Sequence, residues 1–189
     1  MTGVAHLRRL CHRLRAARLR WAGAAVARDA RLAAGVRARP GMRDSRRGVI
    51  TLGPECVCDE GVIFDAFGGR IEVGRNVFFG PYSIVYGHGG VAIGDDCLIS
   101  MHCRILSSNH TVPPFGTPIR WQPDLLLPTR LGRDVWLGAG VTILGGVTVG
   151  DGCVIGAGSV VAKSLPPGAI AVGSPAGIKR FREGYPPAG

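Results

Sequence analysis

The chain holds 189 residues, 46% hydrophobic and 19% charged, with 30 Gly and 13 Pro. That length suits one domain with a sizeable core, and the apolar share excludes global disorder. The glycines follow no G-x-y period, which excludes collagen. No apolar run reaches the ~18 residues of a membrane span, and the Arg-rich N-terminus lacks the apolar stretch of a secretory signal.

The net charge of +10 sits at one end. Residues 1–47 carry 13 Arg, no Lys and only Asp29 and Asp44 as acids, a net of +11; residues 48–189 carry a net of −1. The high basicity therefore belongs to an N-terminal arm, 1–47, and not to the body. The arm predicts a helix. Leu7, Leu10, Cys11, Leu14, Ala17, Trp21 and Ala25 recur at helical spacing, with Arg8, Arg9, Arg13, Arg15 and Arg20 on the other face. Such a helix can cap the body, or lie on an anionic membrane through residues 1–30. Its arginines lack the aromatic interleaving of a single-strand binder, so no nucleic-acid partner is expected.

From Leu52 the chain reads in sixes: LGPECV and CDEGVI, VGRNVF and FGPYSI from Val73, then IGDDCL, ISMHCR and ILSSNH from Ile93. From Leu131 six units run without a break: LGRDVW, LGAGVT, ILGGVT, VGDGCV, IGAGSV and VAKSLP. The first position is aliphatic in all six, the fifth is small or aliphatic, and the second is Gly in four. A period of six is too short for a helical hairpin or a propeller blade. It fits one face of a triangular parallel β-helix, with positions one and five pointing inward and Gly at position two easing the corners. The fold class is thus all-β, a parallel β-helix of about five coils over 48–170, near 52–69, 73–90, 93–110, 131–148 and 149–166. A C-terminal tail, 171–189, follows.

The same frame accounts for five of the six cysteines. Cys56, Cys97, Cys103 and Cys153 fall on position five and Cys58 on position one, so they read as small core residues. No C-x2-C spacing occurs and no disulfide framework is needed, which predicts a reducing, cytoplasmic setting.

The repeat breaks once, at TVPPFGTPIRWQPDLLLPTR, residues 111–130, with five prolines. Proline cannot join a ladder, so this segment leaves the prism as a stiffened loop, and long loops in compact domains are usually functional. His110 stands at its lip beside Ser107, Ser108 and Asn109, facing outward at position six. Alone among the five histidines it combines an outward position, the insertion and polar neighbours. A neutral imidazole suits general-base chemistry near neutral pH.

The stretch SSNHTVP, followed by GRDVWLGAGVTILGGVTVGDGCVIGAGSVVAKSLPPGAIAVGSPAGIKR, resembles the hexapeptide-repeat acyltransferases, specifically the galactoside, maltose and nodulation-factor acetyltransferase group. The resemblance covers about residues 50–181. It implies a left-handed β-helix assembling as a homotrimer, with acetyl-CoA as acyl donor, no metal, and a sugar or glycan hydroxyl as acceptor. Carried over by position, His110 is the catalytic base. Trp136 lies beside the pantetheine arm, and Ala139, Ala157, Ala162 and Lys163 form the donor wall. Lys179 and Arg180 lie near the adenosine phosphates. Trp136 can equally cover a subunit interface, and Lys179 and Arg180 can be a solvated pair. Tyr82, His88 and Asn109 are the acceptor-side candidates. Tyr82 and Gly87-His88 depart from the Asn and Asp of the sugar acetyltransferases, which leaves acceptor identity open. Direct transfer in a ternary complex is expected, since the G-x-S-x-G nucleophile elbow is absent.

Three rivals differ in what they require. An amine acceptor would use the same donor side. A metal enzyme like the γ-class carbonic anhydrases needs three histidines on one ion, and His88, His102 and His110 are the only ones in the body. A non-catalytic β-helix scaffold would bind no coenzyme A.

Overall fold

A computed structural model describes residues 2–185. Short parallel strands wind into a three-sided prism, a left-handed parallel β-helix. The first face stacks Ala25–Val26, Val49–Leu52, Arg70–Val73, Val91–Ile93, Thr129–Leu131 and Thr148–Val149. The second stacks Arg31–Leu32, Val57–Cys58, Phe78–Phe79, Leu98–Ile99, Trp136–Leu137 and Val154–Ile155, then Ala169–Gly173 and its antiparallel partner Ala176–Phe181. The third stacks Arg37–Arg39, Ile63–Asp65, Ile84–Tyr86, Arg104–Ile105, Thr142–Ile143 and Val160–Val161.

Six coils are complete, where five were expected, because the first coil lies inside the expected arm. Strands Ala25–Val26, Arg31–Leu32 and Arg37–Arg39 pair in register with the coil above them. The boundary expected at residue 48 is therefore corrected: only Thr2–Trp21 is helical, and the prism starts near residue 25. A small hairpin, Met42–Arg43 with Arg46–Arg47, leaves the prism between the first two coils. The last four residues of the expected tail lie outside the described residues.

Position one of each hexapeptide is buried, as the row Leu32, Cys58, Phe79, Ile99, Leu137 and Ile155 on the second face shows. Position five fills the corners with Cys56, Val77, Cys97, Cys103, Val135, Val141 and Cys153. Each buried Leu, Ile, Val or Phe among them contributes about 1.5–3 kcal/mol relative to exposure. The stack repeats that gain coil after coil. Four corner thiols reach the coil above: Cys56 Sγ donates to Gly74 O at 3.2 Å, Cys97 to Gly132 O at 3.1 Å, Cys103 to Gly138 O at 3.2 Å and Cys153 to Pro166 O at 3.1 Å. Burial pushes these thiols up from their ordinary pKa, Cys97 to about 11.

Glycine at position two serves close approach, not a left-handed turn. A Cβ on Gly53 would sit 2.2 Å from Gly74 O of the next coil. The left-handed residue falls at position four, as Glu55, Phe67, Asn76, Tyr82, Asp96, His102 and Asp134 show among the residues other than Gly.

The helix Thr2–Trp21 lies across the first coil and closes that end of the prism, with Ala16 and Leu19 in the common core. No helix among the described residues is long and apolar enough to cross a membrane.

Candidate active site

The Pro-rich insertion leaves at the corner between the third and first faces. Its two ends are tied down by buried hydroxyls. Ser107 Oγ donates to Tyr86 O at 2.7 Å and accepts the Gly89 N–H at 3.0 Å. Thr129 Oγ1 donates to Leu106 O at 2.7 Å and accepts the Gly146 N–H at 3.1 Å. Between these anchors the chain forms an antiparallel stem, Ser108–His110 against Asp124–Leu126, which the sequence reading did not anticipate. Beyond the stem, the prolines and a 3-10 turn at Ile119–Trp121 shape the tip.

The stem's register sets His110 directly opposite Asp124. His110 Nδ1 lies 2.6 Å from Asp124 Oδ1. A carboxylate at that distance accepts the Nδ1 proton, which leaves Nε2 as the free lone pair. His110 is well exposed, and it lines a hollow with Ile119, Arg120, Trp121, Gln122 and Asp124. Asn109 Oδ1 accepts the His110 N–H at 2.9 Å, so Asn109 braces the backbone of the histidine it precedes.

His88 stands on the other side of the same carboxylate, with Nδ1 3.4 Å from Asp124 Oδ2. Expected on the acceptor side, it is packed inside the chain. The residue is 4% exposed and its ring meets Phe67 edge-on at 4.8 Å. Its Nδ1 is buried without a hydrogen-bond partner among the described residues. Burial lowers its pKa below 6.5, against a smaller opposing pull from Asp124. His88 is thus a neutral support behind the carboxylate. Gly89 makes this possible: a Cβ there would lie 2.0 Å from Ser107 O, so only glycine lets the turn seat against the loop base.

Asp124 was missed as a site residue. The available signal was modest: it is the single acid in the insertion. Its pairing depends on the stem register, which spacing alone does not reveal.

The expected donor residues lie elsewhere on the prism. Trp136 projects from the second face, half exposed, with Nε1 3.4 Å from Ser100 Oγ. In its outward row, Trp136 is followed by Val154, Ile170 and Arg180, so Arg180 stands about 14 Å along it, three strand spacings. Ala139 and Ala157 are exposed at the corner between the second and third faces, where the Gly158 N–H meets Ala139 O at 2.8 Å. A Cβ on Gly158 would meet nothing within 4 Å, so this ledge is open. Tyr82 is on the same corner, stacked on His102 with centroids 5.6 Å apart. Ala162 and Lys163 are exposed at the corner of the third and first faces, beyond the insertion, and Lys179 is exposed on the last strand. Within one chain, His110 and the Trp136–Ala139–Ala157 ledge are therefore separated by the third face.

Two family models match the prism: "Bacterial transferase hexapeptide (six repeats)" over residues 128–163, and "Hexapeptide repeat of succinyl-transferase" over 70–102. A probable acetyltransferase of Mycobacterium tuberculosis is 34% identical over 61% of this chain and 38% of its own length, so the chain spans well under half of that relative. Nodulation protein L of Rhizobium meliloti is 36% identical over 71% of this chain and 72% of its own. Among solved structures, a galactoside acetyltransferase in complex with coenzyme A is 32% identical, covering 68% of this chain and 63% of its own at a TM-score of 0.61. The N-acyltransferase AntD of Bacillus cereus, in complex with an amino-dideoxyglucose nucleotide and coenzyme A, superposes over 85% of this chain and 84% of its own. Its TM-score is 0.69 and its identity 22%, a likeness of fold. With a hexapeptide repeat and a relative matched over most of both lengths, the chain belongs to the hexapeptide-repeat acetyltransferases.

Proposed function

We propose that the protein moves an acetyl group from acetyl-CoA to a hydroxyl of a sugar or glycan, with His110 as general base. The observation that carries this reading is the His110–Asp124 pair beside an exposed hollow. Asp124 holds the Nδ1 proton, and His110 Nε2 takes the proton of the attacking hydroxyl, a step worth about 10²–10⁴-fold. The thioester supplies an activated carbonyl and a thiolate leaving group. As the acetyl–oxygen bond forms and the carbon–sulfur bond breaks, the imidazolium returns its proton to the departing sulfur.

The open ledge of Ala139, Ala157 and Gly158 has the shape that a closely approaching donor needs, and Ala162 and Lys163, on the corner that carries the insertion, would meet that donor only from a second copy. The Ala139 N–H finds no acceptor among the described residues and is free to meet a developing oxyanion. Lys179 and Arg180 supply cations for the donor phosphates at the far end of the Trp136 row. Because the third face separates His110 from this ledge, the complete site requires a second copy, the homotrimer of the family reading. Coenzyme A in the galactoside acetyltransferase complex supports the donor assignment.

A second reading is N-acetylation of an aminosugar, favoured by the AntD complex with its aminosugar nucleotide. The two separate in one experiment: thiol release from acetyl-CoA is followed against panels of sugar hydroxyls and of aminosugars. Turnover on hydroxyl acceptors that falls about 10²-fold or more in His110→Ala supports the proposal. Turnover confined to amines favours the second reading. Near-normal turnover by His110→Ala would remove the mechanism.

A further inference from the structure

The helix Thr2–Trp21 has two apolar faces, and the prism uses only one. On the inner face Ala16 and Leu19 are buried, His12 Nδ1 lies 2.7 Å from Leu32 O, and Arg15 Nη1 donates to the same carbonyl at 3.1 Å. Those contacts account for the cap. They leave unexplained Leu7, Leu10, Leu14 and Trp21, which are 62%, 47%, 62% and 91% exposed. With exposed Ala17 they recur at i, i+3, i+7, i+10 and i+14, a continuous stripe on the opposite side of the helix from Ala16 and Leu19. Since the inner face closes the end of the prism, the stripe faces outward from that end.

The first coil and its hairpin surround this end with cations. Arg28, Arg31, Arg37, Arg39, Arg46 and Arg47 are exposed, and Met42 is exposed on the hairpin. Of the arginines in 1–47, only Arg39 and Arg43 reach a carboxylate among the described residues. The strongly positive segment and the outward apolar stripe thus coincide at one pole, while the rest of the chain is nearly neutral.

We propose that this pole docks on an anionic lipid surface. The helix lies in the plane of the interface, with Leu7, Leu10, Leu14 and Trp21 at the boundary of headgroups and acyl chains. The surrounding arginines meet lipid phosphates. Apolar area supplies the insertion and charge supplies the choice of lipid. The stripe also has the spacing of a helix pair, but pairing two copies would bring two segments of net +11 together. A nucleic acid would meet leucine and tryptophan at the centre of the patch instead of cations. The proposal is independent of the acetyl-transfer reading, and its test reads lipid binding alone.

The full chain is floated with vesicles of phosphatidylcholine alone and of phosphatidylcholine with phosphatidylglycerol. The expected result is recovery with the anionic vesicles only, declining as salt is raised and the Debye length shrinks from about 10 Å at 0.1 M to about 3 Å at 1 M. Leu10→Glu with Leu14→Glu should lose most of this recovery, and so should Trp21→Ser, an independent change at the most exposed position. Arg13→Glu with Arg18→Glu should lose it as well. Circular dichroism melts matching the wild type would show that the variants fold. Equal recovery with neutral vesicles, or no recovery with either, overturns the proposal. So does retained recovery in the folded leucine and tryptophan variants. A wild-type assembly that these variants lose without lipid would assign the stripe to a second copy and overturn it too.

Discussion

His110 and Asp124 face each other across the stem of the Pro-rich hairpin, Nδ1 to Oδ1 at 2.6 Å, with the buried ring of His88 behind the carboxylate. Asp124 is half-buried and His110 is open to the hollow, so the proton side of the imidazole is held and the lone-pair side is presented.

Asp124→Asn keeps the size of the side chain and removes its charge. An amide can turn its NH2 toward Nδ1 and impose the wrong tautomer. The expected outcome is a fall in kcat of about 10²-fold, within the range for lost acid–base chemistry. KM for acetyl-CoA should be little changed, since the ledge is on another corner. A variant that raises KM and spares kcat would mean that Asp124 binds substrate and does not orient the base.

His88 makes stability depend on pH. Its folded pKa is held below 6.5 by burial, so as pH falls the unfolded chain takes up the proton first. The contribution is complete above pH 6.5 and is lost as the pH drops through the lower folded value. Melting temperatures from about pH 8 downward should decline less steeply in His88→Gln than in the wild type. Parallel curves would mean that the ring takes up its proton equally in the folded and unfolded chains.

Gly89→Ala should destabilise the protein and the site together. The new Cβ would meet Ser107 O at 2.0 Å and Leu127 N at 2.5 Å, both backbone atoms at the base of the insertion. A cost of about 1–3 kcal/mol is expected, as for overpacking. Gly158→Ala is the control, with space around its Cβ but a φ of +70°, and should cost about 1 kcal/mol. Denaturant unfolding measures both.

A site shared between copies predicts complementation. His110→Ala and Ala157→Trp should each be nearly inactive as pure assemblies, the first without a base and the second with its ledge filled. Unfolded together in equal amounts and refolded, they should recover about a quarter of the wild-type rate, the share of interfaces that pair an intact base with an intact ledge. No recovery, with mixed assemblies confirmed by mass, would place the whole site within one chain.

Much of this architecture is local and therefore written in the sequence. A hexapeptide sees the same surroundings in every coil, so its aliphatic first position and small fifth position report inward direction without knowledge of the neighbours. The five body cysteines, the break at 111–130 and the exposed His110 follow from that register. Even the first coil carries it: Val26, Leu32 and Ala38 recur every six residues, and LAAGVR matches LGAGVT. Alanines on its inward positions and arginines on its outward ones masked the signal. What only the tertiary structure decided was pairing across distance. The hairpin register that joins Asp124 to His110, the burial of His88 against Phe67, and the separation of His110 from Ala139 by a whole face each depend on how chain segments stack. Stacking is fixed by backbone ladders and close approach, and these leave no periodic mark on the side chains they bring together.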